Sequence, residues 1–142
     1  MNDLLNAVVL LANFIIIPAL SYGSQLALGA LGVTLIFGIL RFANFAHGDL
    51  MAFGTMITIL LTWLLQSYGI SFGFLPTALL ALPFAIIITI ILSLLIDRYV
   101  FRFYRLSKSP PVTLAMVSIG VMFIMNAIVR IIIGPKDRRF FD

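Results

Sequence analysis

The chain of 142 residues contains no cysteine and no glutamate. The first absence excludes a disulfide framework, a thiolate nucleophile and a cysteine-based zinc site. The second leaves five aspartates and one histidine as the stock for acid–base chemistry. Such a stock is thin for an enzyme that relies on paired carboxylates or a histidine base. Charge is scarce as well: 10% of residues are Asp, Glu, Lys or Arg, against about 25% in an ordinary soluble domain. No G-x-x-x-x-G-K-[ST] segment occurs, so the chain does not hold ATP through a phosphate-binding loop. What fills the space is apolar. The hydrophobic share is 63% and the mean hydropathy is +1.20. A soluble core of this size cannot hide that much apolar surface, so lipid is the solvent for part of it.

The net charge of +4 and the isoelectric point near 10 do not point to nucleic acid. The basic residues flank apolar runs instead of forming a patch, which is the pattern of cytoplasmic loops in membrane proteins. The N-terminus, Met1-Asn2-Asp3, has no basic leader region, and no small-x-small site precedes a polar stretch. It reads as an uncleaved start.

A bilayer-crossing helix needs about 20 mostly apolar residues. Residues 4–40 carry no charge and would extend about 55 Å as one helix, too long for a single crossing of a ~30 Å hydrocarbon core. Pro18 and the cluster Ser21-Tyr22-Gly23-Ser24 are the natural interruption. The sequence therefore predicts an apolar helix over 4–20, which either crosses or lies partly in the interface, and a span over 24–40. Further spans are predicted over 50–66, 76–96 and 112–133, the last stopped by Gly134-Pro135. The fold class is all-α: a polytopic transmembrane helix bundle of four to five membrane helices with a helix break near 41–49. Residues 1–142 read as one transmembrane domain.

Orientation follows from the basic residues. Segment 97–111 holds Arg98, Arg102, Arg105 and Lys108 and is read as a basic cytoplasmic loop. The break adds Arg41, two spans away and hence on the same side, while loop 67–75 has no charge. This places 41–49 and 97–111 in the cytoplasm and the tail 134–142 outside, although that tail carries Lys136, Arg138 and Arg139.

Small residues mark where membrane helices approach closely, because lipid offers no hydrophobic drive between them. Gly23, Ala27, Ala30, Thr34 and Gly38 fall on one helical face, opposite Leu28, Leu31, Leu35 and Ile39. Thr77, Ala81, Ala85, Thr89 and Ser93 form a second stripe, with Pro83 expected to bend the helix. Either stripe serves as a packing face within a bundle or as the wall of a permeation path. Asn126 and Arg130 share a face of the last span. An ionisable group within a span is a functional candidate, but Arg130 stands about one turn from the predicted interface and is expected to snorkel there.

The stretch Asn44-Phe45-Ala46-His47-Gly48-Asp49 holds the only histidine and is flanked on both sides by apolar runs. Read physically, it is a capped turn. Asn44 tolerates the left-handed conformation that closes a helix. Gly48 permits positive φ. Asp49 serves as N-cap to a helix beginning at Leu50. His47 can donate to Asp49 or to a freed carbonyl. The alternative is a discontinuous helix beside a substrate path, since irregular backbone at membrane depth occurs only where it is buried in protein or lines a cavity. One His and one Asp without a third ligand argue against a metal site.

Gly29 to Gly38 (GALGVTLIFG), followed by Phe42 to Met51 (FANFAHGDLM), resembles the first block of branched-chain amino acid ABC-transporter permeases of the LivH type. Ile96-Asp97-Arg98-Tyr99-Val100 with Arg102 and Arg105 is similar to that family's basic segment, and Leu114 to Gly120 leading to Gly134-Pro135 also matches. The resemblance covers roughly residues 20–142. It implies a permease subunit of an importer, with no cofactor and no hydrolytic activity of its own. Such a subunit works with a second permease subunit, two cytoplasmic ATPase subunits and a periplasmic substrate-binding protein in the bacterial inner membrane, by alternating access. Permeases for urea and short amides share much of the first block. Members of the family are about twice as long, and their second half supplies the loop that couples to the ATPase. The chain is thus expected to be an N-terminal half, a truncated frame or one piece of a split subunit. From the residues alone, a small self-assembling channel or structural membrane protein is the competing reading, with an intramembrane enzyme behind it.

Overall fold

A computed structural model describes residues 1–70, 73 and 75–136. Four helices in it are long and apolar enough to cross a membrane: α1 (Asn2–Leu40), α2 (His47–Ser67), α3 (Thr77–Leu106) and α4 (Pro111–Ile133). Among the described residues there is no strand. The chain divides into two compact units, Met1–Leu40 and Arg41–Asp142.

The first unit is α1 alone, and it corrects the expectation of two helices over 4–20 and 24–40. The helix runs without interruption past Pro18 and the serine cluster. Its accommodation is a π-helical turn, Ala12–Ile16, closed by the Ile17 N–H donating to the Ala12 carbonyl. A proline in a regular α-helix lacks the N–H that would reach the carbonyl four residues back, and its ring collides with that carbonyl. The wider turn immediately before Pro18 absorbs both defects. The serines do not unwind the helix either. Ser24 Oγ donates to the Ser21 carbonyl at 2.8 Å, an attachment to the helix's own backbone that replaces competition with it. Thr34 Oγ1 does the same toward Ala30, also at 2.8 Å. Gly23, Ala27, Ala30, Thr34 and Gly38 all stand on this one helix.

The second unit begins with an antiparallel α2–α3 pair. Ala81 and Ala85 are buried on α3, as are Phe53, Met56, Ile59 and Thr62 on α2. The two backbones approach closely at Gly54, where a Cβ would stand 3.2 Å from Thr89 Oγ1. Farther along, Gln66 Nε2 donates to Thr77 Oγ1 at 3.2 Å. Buried and half-buried hydroxyls in this seam are satisfied within their own helices: Thr58 on Gly54, Thr62 on Thr58 and Thr89 on Ala85, at 2.8–2.9 Å. The seam therefore gains close packing without stranding a polar group in an apolar layer.

α3 exceeds the predicted span 76–96 by one segment. It continues through Pro83 and then through a π-helical turn, Asp97–Phe101, to Leu106. Arg98, Arg102 and Arg105 consequently stand on a helix and not in a loop; only Lys108, at φ 51°, lies in the turn that follows. The helical extension is held by a fork in which Arg105 Nη1 and Nη2 donate to Asp97 Oδ1 and Oδ2 at 2.6 and 2.8 Å.

α4 packs on α2 through Leu114, Ser118, Val121 and Met125, the buried side chains of one helical face. Pro111 is its first residue, where a missing N–H costs nothing. Gly134, at φ 87°, ends it, with its N–H on the Arg130 carbonyl at 2.9 Å. The predicted stop at Gly134-Pro135 is thus the observed one. Arg138 and Arg139, used in the orientation argument, lie outside the described residues.

Candidate functional site

The break between α1 and α2 is short. Helix ends at Leu40 and resumes at His47. The backbone leaves the helical path at Arg41, whose φ is 55°. A side-chain-bearing residue pays roughly 1–2 kcal/mol for that conformation, so its neighbours must hold it. Phe42 is the first anchor, 2% exposed, with its ring 5.5 Å from that of Phe101 on α3. This contact sets the break at the same end of the bundle as the basic extension of α3.

Asn44 does not close a helix in the left-handed conformation. Its Oδ1 accepts the Ala46 N–H at 3.1 Å, an Asx turn that starts the chain into α2. Its carbonyl accepts the His47 N–H at 3.4 Å, and the Ala46 carbonyl accepts Leu50 N–H at 3.0 Å. The residue before the helix is Ala46, so Asp49 is not the N-cap; it sits in the first turn of α2, where a carboxylate still suits the helix dipole. Gly48 is helical. Positive φ among the described glycines belongs to Gly69 and Gly134, so the turn does not use the freedom that glycine offers at position 48.

The residue that locks the break is Ser118 on α4, fully buried. Its Oγ accepts the Phe45 N–H at 3.1 Å. Its proton is shared between the Ala115 carbonyl at 2.6 Å and the Ala43 carbonyl at 3.3 Å. One hydroxyl thus satisfies a donor and an acceptor of backbone that no helix serves. Sequence reasoning missed Ser118, although a lone serine in register with Leu114 and Val121 on one face was a readable signal.

Beyond the break a polar ladder crosses from α2 to α4. Asn126 Nδ2 donates to Asp49 Oδ1 at 3.1 Å, and Arg130 Nε donates to Asn126 Oδ1 at 2.8 Å. Arg130, exposed near the end of α4, turns its Nε back along that helix toward the break. The two helices are staggered. α4 meets the break at Ser118, about 10 Å into its own length, and so it ends beside the middle of α2. There a cleft of about 540 Å³ opens, lined by Ala52, Met56 and Ile59 of α2 and by Val129, Arg130 and Lys136 at the end of α4. Met56 and Ile59 lie about 14–18 Å along α2 from His47, at ~1.5 Å per residue.

His47 faces the other way. It lines a smaller cleft of about 240 Å³ with Leu50, Met51, Thr89, Ile90 and Ser93, between α2 and α3. The break thus stands between two clefts, with His47 at one and the Asp49 ladder leading to the other. Among the described residues no three of His, Asp, Cys or Glu come close enough to share a metal ion. The arrangement offers hydrogen-bond donors, one carboxylate and a guanidinium beside aliphatic walls. Such a surface suits the binding of a small amphipathic molecule better than bond cleavage.

A family described as branched-chain amino acid transport system, permease component, matches residues 15–140. The high-affinity branched-chain amino acid transport system permease protein LivH of Escherichia coli (strain K12) is 33% identical over 118 residues, 81% of this chain and 36% of that protein. LivH of Salmonella typhimurium aligns to the same extent. The corresponding protein BraD of Pseudomonas aeruginosa is 33% identical over 88 residues, 61% of this chain and 28% of its own. The chain spans about a third of the length of these relatives. No solved structure matches it.

Proposed function

The chain belongs to the family of branched-chain amino acid transport permease components, and from that membership we propose that it is a permease subunit carrying branched-chain or related aliphatic amino acids across the bacterial inner membrane. It acts as part of an importer with a second permease subunit, two cytoplasmic ATPases and a periplasmic binding protein. The ATPases drive alternating access, and this chain performs no hydrolysis. Residues 1–142 form part of a permease domain. The end carrying Arg41, Arg98, Arg102 and Lys108 faces the cytoplasm, in keeping with the distribution of basic residues in membrane proteins.

The observation that carries the reading from family to mechanism is the ladder Asp49–Asn126–Arg130, built on two membrane-spanning helices and opening on a cleft. A carboxylate and a guanidinium on helices that cross a membrane are costly against lipid and belong beside a water-filled path. Ala81 and Ala85 on α3, and Gly23, Ala27, Ala30, Thr34 and Gly38 on α1, serve helix packing, while Asn44, His47, Gly48 and Asp49 form the joint of the path.

The test is uptake in the native host. Deleting the gene is expected to abolish energised uptake of radiolabelled leucine, isoleucine or valine and to leave urea and acetamide uptake intact. Unchanged uptake of all three amino acids would contradict the proposal. Loss confined to urea or a short amide would move the substrate to that class.

A further inference from the structure

We propose that the cleft between α2 and the end of α4 is a transit site for an aliphatic amino acid, with the Arg130 guanidinium receiving the substrate carboxylate. The inference rests on the permease reading and adds the residue and the chemistry of recognition.

Three observations converge on it. First, the cleft is chemically divided. Ala52, Met56, Ile59 and Val129 supply aliphatic wall, and Arg130 and Lys136 supply positive charge at its α4 side. A molecule that fits both parts carries an anion on a short alkyl body. The cleft, about 540 Å³, is open on one side, so it offers an alkyl body one wall and the carboxylate one charged edge. Second, the guanidinium is aimed. Its Nε is committed to Asn126 Oδ1 at 2.8 Å, and Asn126 is itself fixed by Asp49 at 3.1 Å. That bond orients the plane and leaves the terminal N–H groups to form a fork with a carboxylate, the geometry guanidinium matches best. Third, charge and wall face one space. The stagger of α4 on α2, set by Ser118 at the break, brings the exposed Arg130 beside Ala52, Met56 and Ile59 of α2, so that one molecule can touch both. Asp49 and Asn126 are positioning residues in this scheme; they orient Arg130 and reach the substrate only through it.

The experiment uses the full chain in nanodiscs, with radiolabelled leucine as probe and retained helicity and monodispersity as the criterion for a folded variant. Wild type is expected to bind leucine, and leucinol, which keeps the alkyl body and the amine but lacks the carboxylate, is expected not to compete. Arg130→Gln should weaken leucine binding about tenfold or more, as expected for a charge-assisted hydrogen bond. Arg130→Lys should recover part of the loss, and Asn126→Ala should weaken binding while leaving competition by leucinol absent. Leucine binding by wild type that Arg130→Gln leaves unchanged overturns the site and spares the permease reading. Folded wild type that binds none of leucine, isoleucine and valine overturns both. A lipid phosphate is the other source of anion for Arg130. If phosphatidylglycerol discs, compared with phosphatidylcholine discs, abolish leucine binding in wild type but not in Arg130→Gln, the cleft belongs to lipid and the proposal fails.

Discussion

Ser118 carries more of the break than any residue within it. Its hydroxyl meets the Phe45 N–H and the Ala43 carbonyl, and it is fully buried, so water cannot replace it. Ser118→Ala is expected to cost about 1–3 kcal/mol, the penalty for stranding buried polar groups. Denaturant titration in detergent should show it, with Ser107→Ala as a near-neutral control because the Ser107 hydroxyl is exposed and serves only its own helix. Gly48 gives the opposite expectation. It is helical, and no atom of the described structure stands within 4 Å of an added Cβ. The residue pattern of the break was legible in sequence because five polar or small residues within the six of 44–49, between apolar runs, are conspicuous. Their roles were not, because the capping reading assumed a turn centred on Gly48. The backbone turns at Arg41 instead, and an arginine at positive φ has no sequence signature. The position of Ser118 on the packed face of α4 was readable, but its role was not: a serine in an apolar run ordinarily bonds to its own helix, and only the fold brings residues 43–45 to it.

At the scale of the element, two π-helical turns decide where helices end. One lets α1 run past Pro18, and the other carries α3 beyond Ile96 into charged sequence. Periodicity and proline placement located the apolar runs, and Pro111 and Gly134 marked the limits of α4 correctly. They do not report a widened turn, which alters hydrogen-bond register without altering composition. The α2–α3 seam was legible through the small residues of α3, but its tightest point, Gly54 against Thr89, lies on the helix that showed no such stripe. A paired substitution separates packing from backbone freedom. Gly54→Val should destabilise the seam by about 1–3 kcal/mol through overpacking. Gly48→Ala should be neutral or stabilising by up to about 1 kcal/mol, since alanine is the better helix former. Thermal unfolding of both variants in the same detergent checks the contrast, and equal losses would show that the glycines act alike.

For the whole molecule, the stagger of α4 matters most. It sets Arg130 in a polar ladder beside the middle of α2, next to a cleft with aliphatic walls. The account stands on that cleft being wet at membrane depth. The chain has no cysteine, so single-cysteine variants report position without background. Lys108→Cys and Tyr68→Cys fix the two sides of the membrane, and they should react with an impermeant thiol reagent from opposite faces. Ile87→Cys, exposed on the apolar surface of α3, should stay unlabelled. The decisive position is Ala52→Cys in the cleft. The account predicts that it reacts with the impermeant reagent in sealed vesicles and that leucine slows the reaction. An Ala52→Cys variant as silent as Ile87→Cys, in protein that still folds, would contradict it.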